Sequence, residues 1–429
     1  MTAATGGPNT KRSRRLTDAL AHLTLHNAAL GATLLLPLFL LYGRAIADIL
    51  VVVTGLLFLT HSAVSRDWSW LRRPWISLAA LLWLVQLASS AANGSTHSIL
   101  QSLAVLRLFL FIAAIEAWVL PPARGRRALW LVFAILAVWV GLECWEQYLT
   151  GINLWGDPRW GDGALTGPFV KPRAGGILLL LSIPAFLPMI ARTLERRTIR
   201  SFIEGAFALT LLLATMILIG QRMPTLLLVL GLAVTSFLLP VLRRPLLIAL
   251  ALGIIGLIAL PVISPPTYGK LVVKFLDQMS HFPDSPYGQL YVRAAVMTEM
   301  NPIIGLGFGG FRDHCNNPVY FHDLPALGIT NTIGGADACN IHPHNYYLEV
   351  SVMAGFTGLS LFMAMIGLWM MTLLRALRPA TNPDQAMLFV TVGVIFWPLA
   401  STSSLLTFDT AGWVTLITGW ALAASQSSP

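Results

Sequence analysis

Residues 201–263 read SFIEGAFALTLLLATMILIGQRMPTLLLVLGLAVTSFLLPVLRRPLLIALALGIIGLIALPVI, three apolar runs (201–220, 223–240 and 245–263) parted only by Gln221-Arg222 and Arg243-Arg244. As a helix rising about 1.5 Å per residue, a run of about 20 apolar residues crosses roughly 30 Å of hydrocarbon. Only a closed hydrogen-bonded structure is stable there, and a helix satisfies its own backbone. The pattern continues outward, with spans expected near 24–43, 46–64, 75–92, 99–120, 128–149 and 174–191 on one side and 350–374, 386–407 and 411–425 on the other. The expected fold is therefore an all-α polytopic membrane protein of about 12 transmembrane helices. Composition points the same way: 56% of the 429 residues are hydrophobic and 11% charged, against roughly a quarter charged in soluble domains.

The net charge of +9 does not call for nucleic acid, because in a membrane protein a basic balance reports orientation. Lys11, Arg12, Arg14 and Arg15 precede the first apolar run, which no small-residue cleavage site closes, so this start reads as a cytoplasmic tail. With that end inside, Arg66/Arg72/Arg73, Arg124/Arg126/Arg127, Arg192/Arg196/Arg197/Arg200, Arg243/Arg244 and Arg375/Arg378 all fall on the same side and, together with the four tail charges, hold 18 of the chain's 28 Lys and Arg. The outward connections carry Arg44, Arg159, Lys171, Arg173 and Arg222. Positive charge thus places both termini in the cytoplasm of an inner membrane. The expected division is 1–263 as tail and spans one to nine, 264–349 as a large outer loop, and 350–429 as spans ten to twelve with the C-terminal tail.

A connection of that length carries function more often than it merely links helices. Leu271, Val272, Phe275, Met279, Leu290, Ala294 and Met297 recur at helical spacing, broken between Pro283 and Pro286. A glycine-rich turn follows: Asn301-Pro302, Gly305-Leu306-Gly307 and Gly309-Gly310. The loop re-enters the membrane through Asn340-Ile341-His342-Pro343-His344-Asn345-Tyr346-Tyr347-Leu348-Glu349. Histidine titrates near working pH, so His344 is a candidate base for a sugar hydroxyl; the alternative is a pair of histidines that cap a helix or hold the loop.

The residue types argue against metal chemistry. His342 and His344 are two apart, not four, and Asp157, Asp162, Asp277, Asp284, Asp313, Asp323 and Asp337 form no D-x-D pair. No metal or cofactor is expected, and a phosphate-bearing donor would have to be met by guanidinium groups. Arg222, the polar break between two spans, and Arg293, on the loop helix, are the candidates, able to give paired charge-assisted hydrogen bonds to a pyrophosphate and to disfavour protonation of His344. Each has an alternative reading as an interfacial arginine. Arg107 lies within a span, with Glu116 as one possible partner. Cys315 and Cys339 share the loop, and whether they are bridged stays open; Cys144 reads as packing.

The order of spans, the large loop between spans nine and ten, and His344-Asn345 followed by Gly355-x-x-Gly358 resemble the O-antigen ligase and polymerase superfamily. The resemblance implies a GT-C-like helical fold, a periplasmic site and metal-independent inverting transfer. It further implies undecaprenyl-pyrophosphate-linked O-antigen as donor, lipid A-core as acceptor, His344 as base, and Arg222 and Arg293 as donor-phosphate ligands. An O-antigen polymerase using the same donor is the nearest alternative, and a membrane glycolipid transporter the alternative of a different class. Membrane lipids are the expected surroundings and nucleic acid is not an expected partner.

Overall fold

The computed structural model describes residues 8–325, 328–329, 339–377 and 382–426, with side chains from residue 23 onward. The side chains of Lys11, Arg12, Arg14 and Arg15, together with Asp337 and Arg378, lie outside the described residues. The helices are α1 (Pro8–Tyr42), α2 (Arg44–Ser65), α3 (Pro74–Asn93), α4 (Thr96–Ala114), α5 (Ala123–Thr150), α6 (Ala174–Leu194), α7 (Ile199–Ile219), α8 (Arg222–Leu238) and α9 (Arg243–Ile263). The loop contributes α10 (Pro265–Tyr268), α11 (Lys274–Ser280), α12 (Pro286–Met300) and α13 (Gly310–His314), and α14 (Tyr346–Ala376), α15 (Pro383–Ile395) and α16 (Phe408–Ser425) complete the chain.

Among the described residues nine helices are long and apolar enough to cross a membrane: α1 to α7, α9 and α14. The remaining three of the expected twelve are shorter, with 17 residues in α8, 13 in α15 and 18 in α16. The span expected over 386–407 is corrected, since its helix stops at Ile395 and residues 396–407 form an irregular segment. Pro398 explains the break, because it lacks an N–H and disfavours helix in the residue before it. The hydroxyl-rich stretch Ser401-Thr402-Ser403-Ser404 then offers the backbone side-chain partners in place of a helix.

Hydrocarbon is the solvent that the outside of this bundle requires. On α9, Ile258 is 74% and Val262 88% exposed, and a helix apolar all round is stable only where it is buried or in lipid. By contrast α16 is buried along nearly its whole length, with the ring of Phe133 on α5 meeting Trp413 and Trp420 edge-on. It is the central helix despite being short. Within the bundle, Arg107 pairs with Asp48 on α2 at 2.8 Å and not with Glu116, which holds Arg73.

The loop is fastened to α14 through backbone. Gly355 has φ 65° and ψ −168°, which breaks the helix and frees carbonyls above the break. Leu306 N–H donates to the Val352 carbonyl at 2.8 Å, Gly307 N–H to the Met353 carbonyl at 3.0 Å, and Phe356 N–H to the Pro302 carbonyl at 2.7 Å. Glycine is required on both sides of this contact: a Cβ on Gly355 would lie 2.5 Å from the Ile303 carbonyl, and one on Gly305 2.5 Å from that of Val352. The α3–α4 corner closes the joint, as Asn93 Nδ2 donates to the Gly305 carbonyl at 3.0 Å and Ser98 Oγ to the Phe308 carbonyl at 2.7 Å.

Candidate active site

The site is built around the start of α14. Asn345 is its N-cap, accepting from Tyr347 N–H at 3.0 Å and Leu348 N–H at 3.2 Å, which satisfies donors that a helix start leaves orphaned. Its amide nitrogen donates to the carbonyls of Pro398 at 2.7 Å and Ala400 at 3.3 Å, so one side chain both caps α14 and holds the 396–407 segment over it. His344, immediately before the cap, takes the left-handed conformation at φ 57°. Such a backbone is uncommon outside glycine and persists where surrounding contacts enforce it.

Those contacts fix the imidazole. Thr402 N–H donates to the His344 carbonyl at 2.7 Å. His344 Nδ1 lies 3.0 Å from the Thr402 carbonyl, an acceptor only, so Nδ1 carries the proton and Nε2 keeps its lone pair. Asn340 Nδ2, 3.3 Å from Nε2, donates to that lone pair. Burial pushes the His344 pKa below its usual value, the Thr402 hydrogen bond opposing it. His342 packs at 4.2 Å between ring centroids. Its pKa is pushed down to about 4 by burial, then by His344 and Arg312. The cation acting on His342 is thus Arg312.

Helix α12 supplies the facing wall. It starts cleanly because Ser285 accepts from Gly288 N–H at 3.0 Å and Pro286 occupies the first turn. Tyr287 and Tyr291, four residues apart and so on one face, both reach His344: the Tyr287 ring meets the imidazole edge-on at 5.3 Å, and the Tyr291 hydroxyl lies 3.5 Å from the His344 carbonyl. Burial raises the Tyr291 pKa and keeps it a phenol.

Arg222 opens α8, and its guanidinium donates to Gln278 Oε1 on α11. Tyr287 and Asp162 are its electrostatic neighbours, and Tyr287 is also the residue whose ring meets His344. Arg293 follows Tyr291 by two residues and projects from another face of α12. It is buried, 5% exposed, with its guanidinium on the Cys315 carbonyl and 4.1 Å over the Phe321 ring; burial lowers its pKa. Tyr287 is thus the residue common to the surroundings of Arg222 and His344, and Arg293 has a setting within the loop's own core. Beside it Cys315 and Cys339 are joined as a disulfide, and Cys144 is free and buried.

Sequence reasoning missed Tyr287, Tyr291, Asn340 and Thr402 as parts of this site. The four-residue spacing of the tyrosines beside Arg293 was a usable signal. Thr402 gave none, because it stands 58 residues from His344 inside what reads as a span.

No curated protein matches the chain. Residues 207–363, a stretch that holds Arg222, Arg293 and His344, match the family model described as Wzy_C: O-Antigen ligase, so this part of the chain is similar to that family.

Proposed function

We propose that the protein is an O-antigen ligase, a glycosyltransferase that moves O-antigen polysaccharide from undecaprenyl pyrophosphate to lipid A-core at the periplasmic face of the inner membrane. The observation that carries this reading is the His344 imidazole, held with Nδ1 on the Thr402 carbonyl and Nε2 directed away from it. Nε2 exchanges its hydrogen bond from Asn340 Nδ2 for one from an acceptor hydroxyl and takes that hydroxyl's proton, and the oxygen attacks the anomeric carbon opposite the pyrophosphate. The bond from that carbon to the phosphate oxygen breaks with inversion, and undecaprenyl pyrophosphate leaves. Guanidinium groups, and no metal ion, take up the charge on the leaving group. Arg222, which shares Tyr287 as a neighbour with His344, is the first of these; Arg293 is the second that the resemblance implies, its position set by Cys315 and Phe321.

Two further features support the reading. The disulfide suits an oxidising compartment outside the cytoplasm. The arginine-rich connections lie at the opposite end of the helices from the loop, as a periplasmic loop requires.

The test is full-length protein purified in detergent, supplied with the polyprenyl-linked donor and lipid A-core. His344→Ala is expected to lower transfer about a thousand-fold, within the usual range for loss of a general base. Undiminished product removes the assigned base. Product formed on a second donor molecule and not on lipid A-core assigns the polymerase reaction instead.

A further inference from the structure

Glu349 lies one turn into α14 and is 7% exposed. One of its oxygens accepts from the Ser404 hydroxyl, and the other from Leu405 N–H at 2.7 Å. Burying a carboxylate carries a desolvation cost that leucine at this position would not. The 396–407 segment explains what the carboxylate accomplishes. Asn345 holds its near side at Pro398 and Ala400, Glu349 holds its far side at Ser404 and Leu405, and Thr402 lies between the two anchors. Thr402 meets His344 twice, through its N–H on the His344 carbonyl and its carbonyl on Nδ1.

We propose that Glu349 is a positioning residue for His344: by clamping the far side of the 396–407 segment it fixes the Thr402 carbonyl, which keeps the proton on Nδ1 and the lone pair on Nε2. Glu349 does not touch the reacting atoms. The relation is that of an orienting group acting on a base through an intermediate hydrogen bond, and it rests on the reading of His344 as the base.

The experiment uses full-length protein in detergent with ¹⁵N-labelled histidine. The His344 resonances are assigned by their loss in His344→Ala, and the tautomer is read without substrate. Wild type is expected to show the Nδ1–H form, and Glu349→Ala a mixture of tautomers. In turnover, Glu349→Ala is expected to lower kcat about a hundred-fold, the size of effect seen when a reacting group is misplaced by about 1 Å, with KM for each lipid held within about twofold. Glu349→Gln keeps one acceptor and is expected to show a smaller loss, roughly tenfold. If Glu349→Ala fails to fold, Ser404→Ala removes one of the two bonds and is expected to shift the tautomer in the same direction. An unchanged tautomer in these variants overturns the proposal at any level of turnover. Because that readout needs no reaction, it stands apart from the assignment of the base, which fails on its own if His344→Ala turns over normally.

Discussion

Glu116 and Glu349 are both buried, at opposite ends of the bundle, and they differ in what meets them. Helix α16 runs between the two: Leu405, just before it, donates to Glu349, and Gln426, just after it, to Glu116, an axial separation of about 27 Å for 18 residues. Glu116 is surrounded by Arg73, Trp75 and Gln426, so its charge is paired and ties three parts of the bundle together. Glu349 is met by a hydroxyl and a backbone amide on an irregular segment. One carboxylate holds helices at the arginine-rich end; the other holds a loop beneath the candidate base. The arginine-rich end is thus built for stability and the loop end for orientation.

The most direct way to break this comparison is at Arg222. Arg222→Ala is expected to lower transfer by about a hundred-fold or more, the effect of removing one donor from a site of developing negative charge, with little change in melting temperature. Arg293→Ala tests the same role; because Arg293 also holds Cys315 and Phe321, Arg293→Lys is compared with it, and normal turnover by both ends its assignment. At the other end the order of effects reverses. Arg73→Ala leaves Glu116 buried without its cation and is expected to destabilise the protein by roughly 3 kcal/mol, read by thermal unfolding, while turnover of the folded fraction stays near wild type.

The smallest expected effect is a pH dependence. A base must be neutral, so transfer rises with pH through the His344 pKa and is flat above it. Burial lowers that pKa, so the half-maximal point of a rate profile is expected below about pH 6.5, the ordinary histidine value. His342 adds a stability term of definite sign. Its folded pKa of about 4 lies below the unfolded value, so between these values the unfolded chain takes a proton that the folded protein refuses. Stability is therefore complete above about pH 6.5 and falls as pH drops towards 4. A melting temperature that rises on acidification through this window contradicts the buried, neutral imidazole.

Hydropathy located nearly every helix of the bundle because a span is a local property: length and apolar content decide it before any neighbour is known. It overran at 386–407, where Pro398 and the serines after it outweigh the apolar average. The disulfide needed the folded loop, which brings Cys315 and Cys339 together across 24 residues of sequence.

For the site, the chain itself determined that a histidine and a glycine pair stand where the long loop returns to the membrane, since motif and position along the chain are local facts. Only the tertiary structure decided which atoms surround the imidazole. Tyr287, Tyr291, Thr402 and Glu349 come from three separate elements, and hydrogen bonds reaching across more than 50 residues depend on packing that no local pattern encodes.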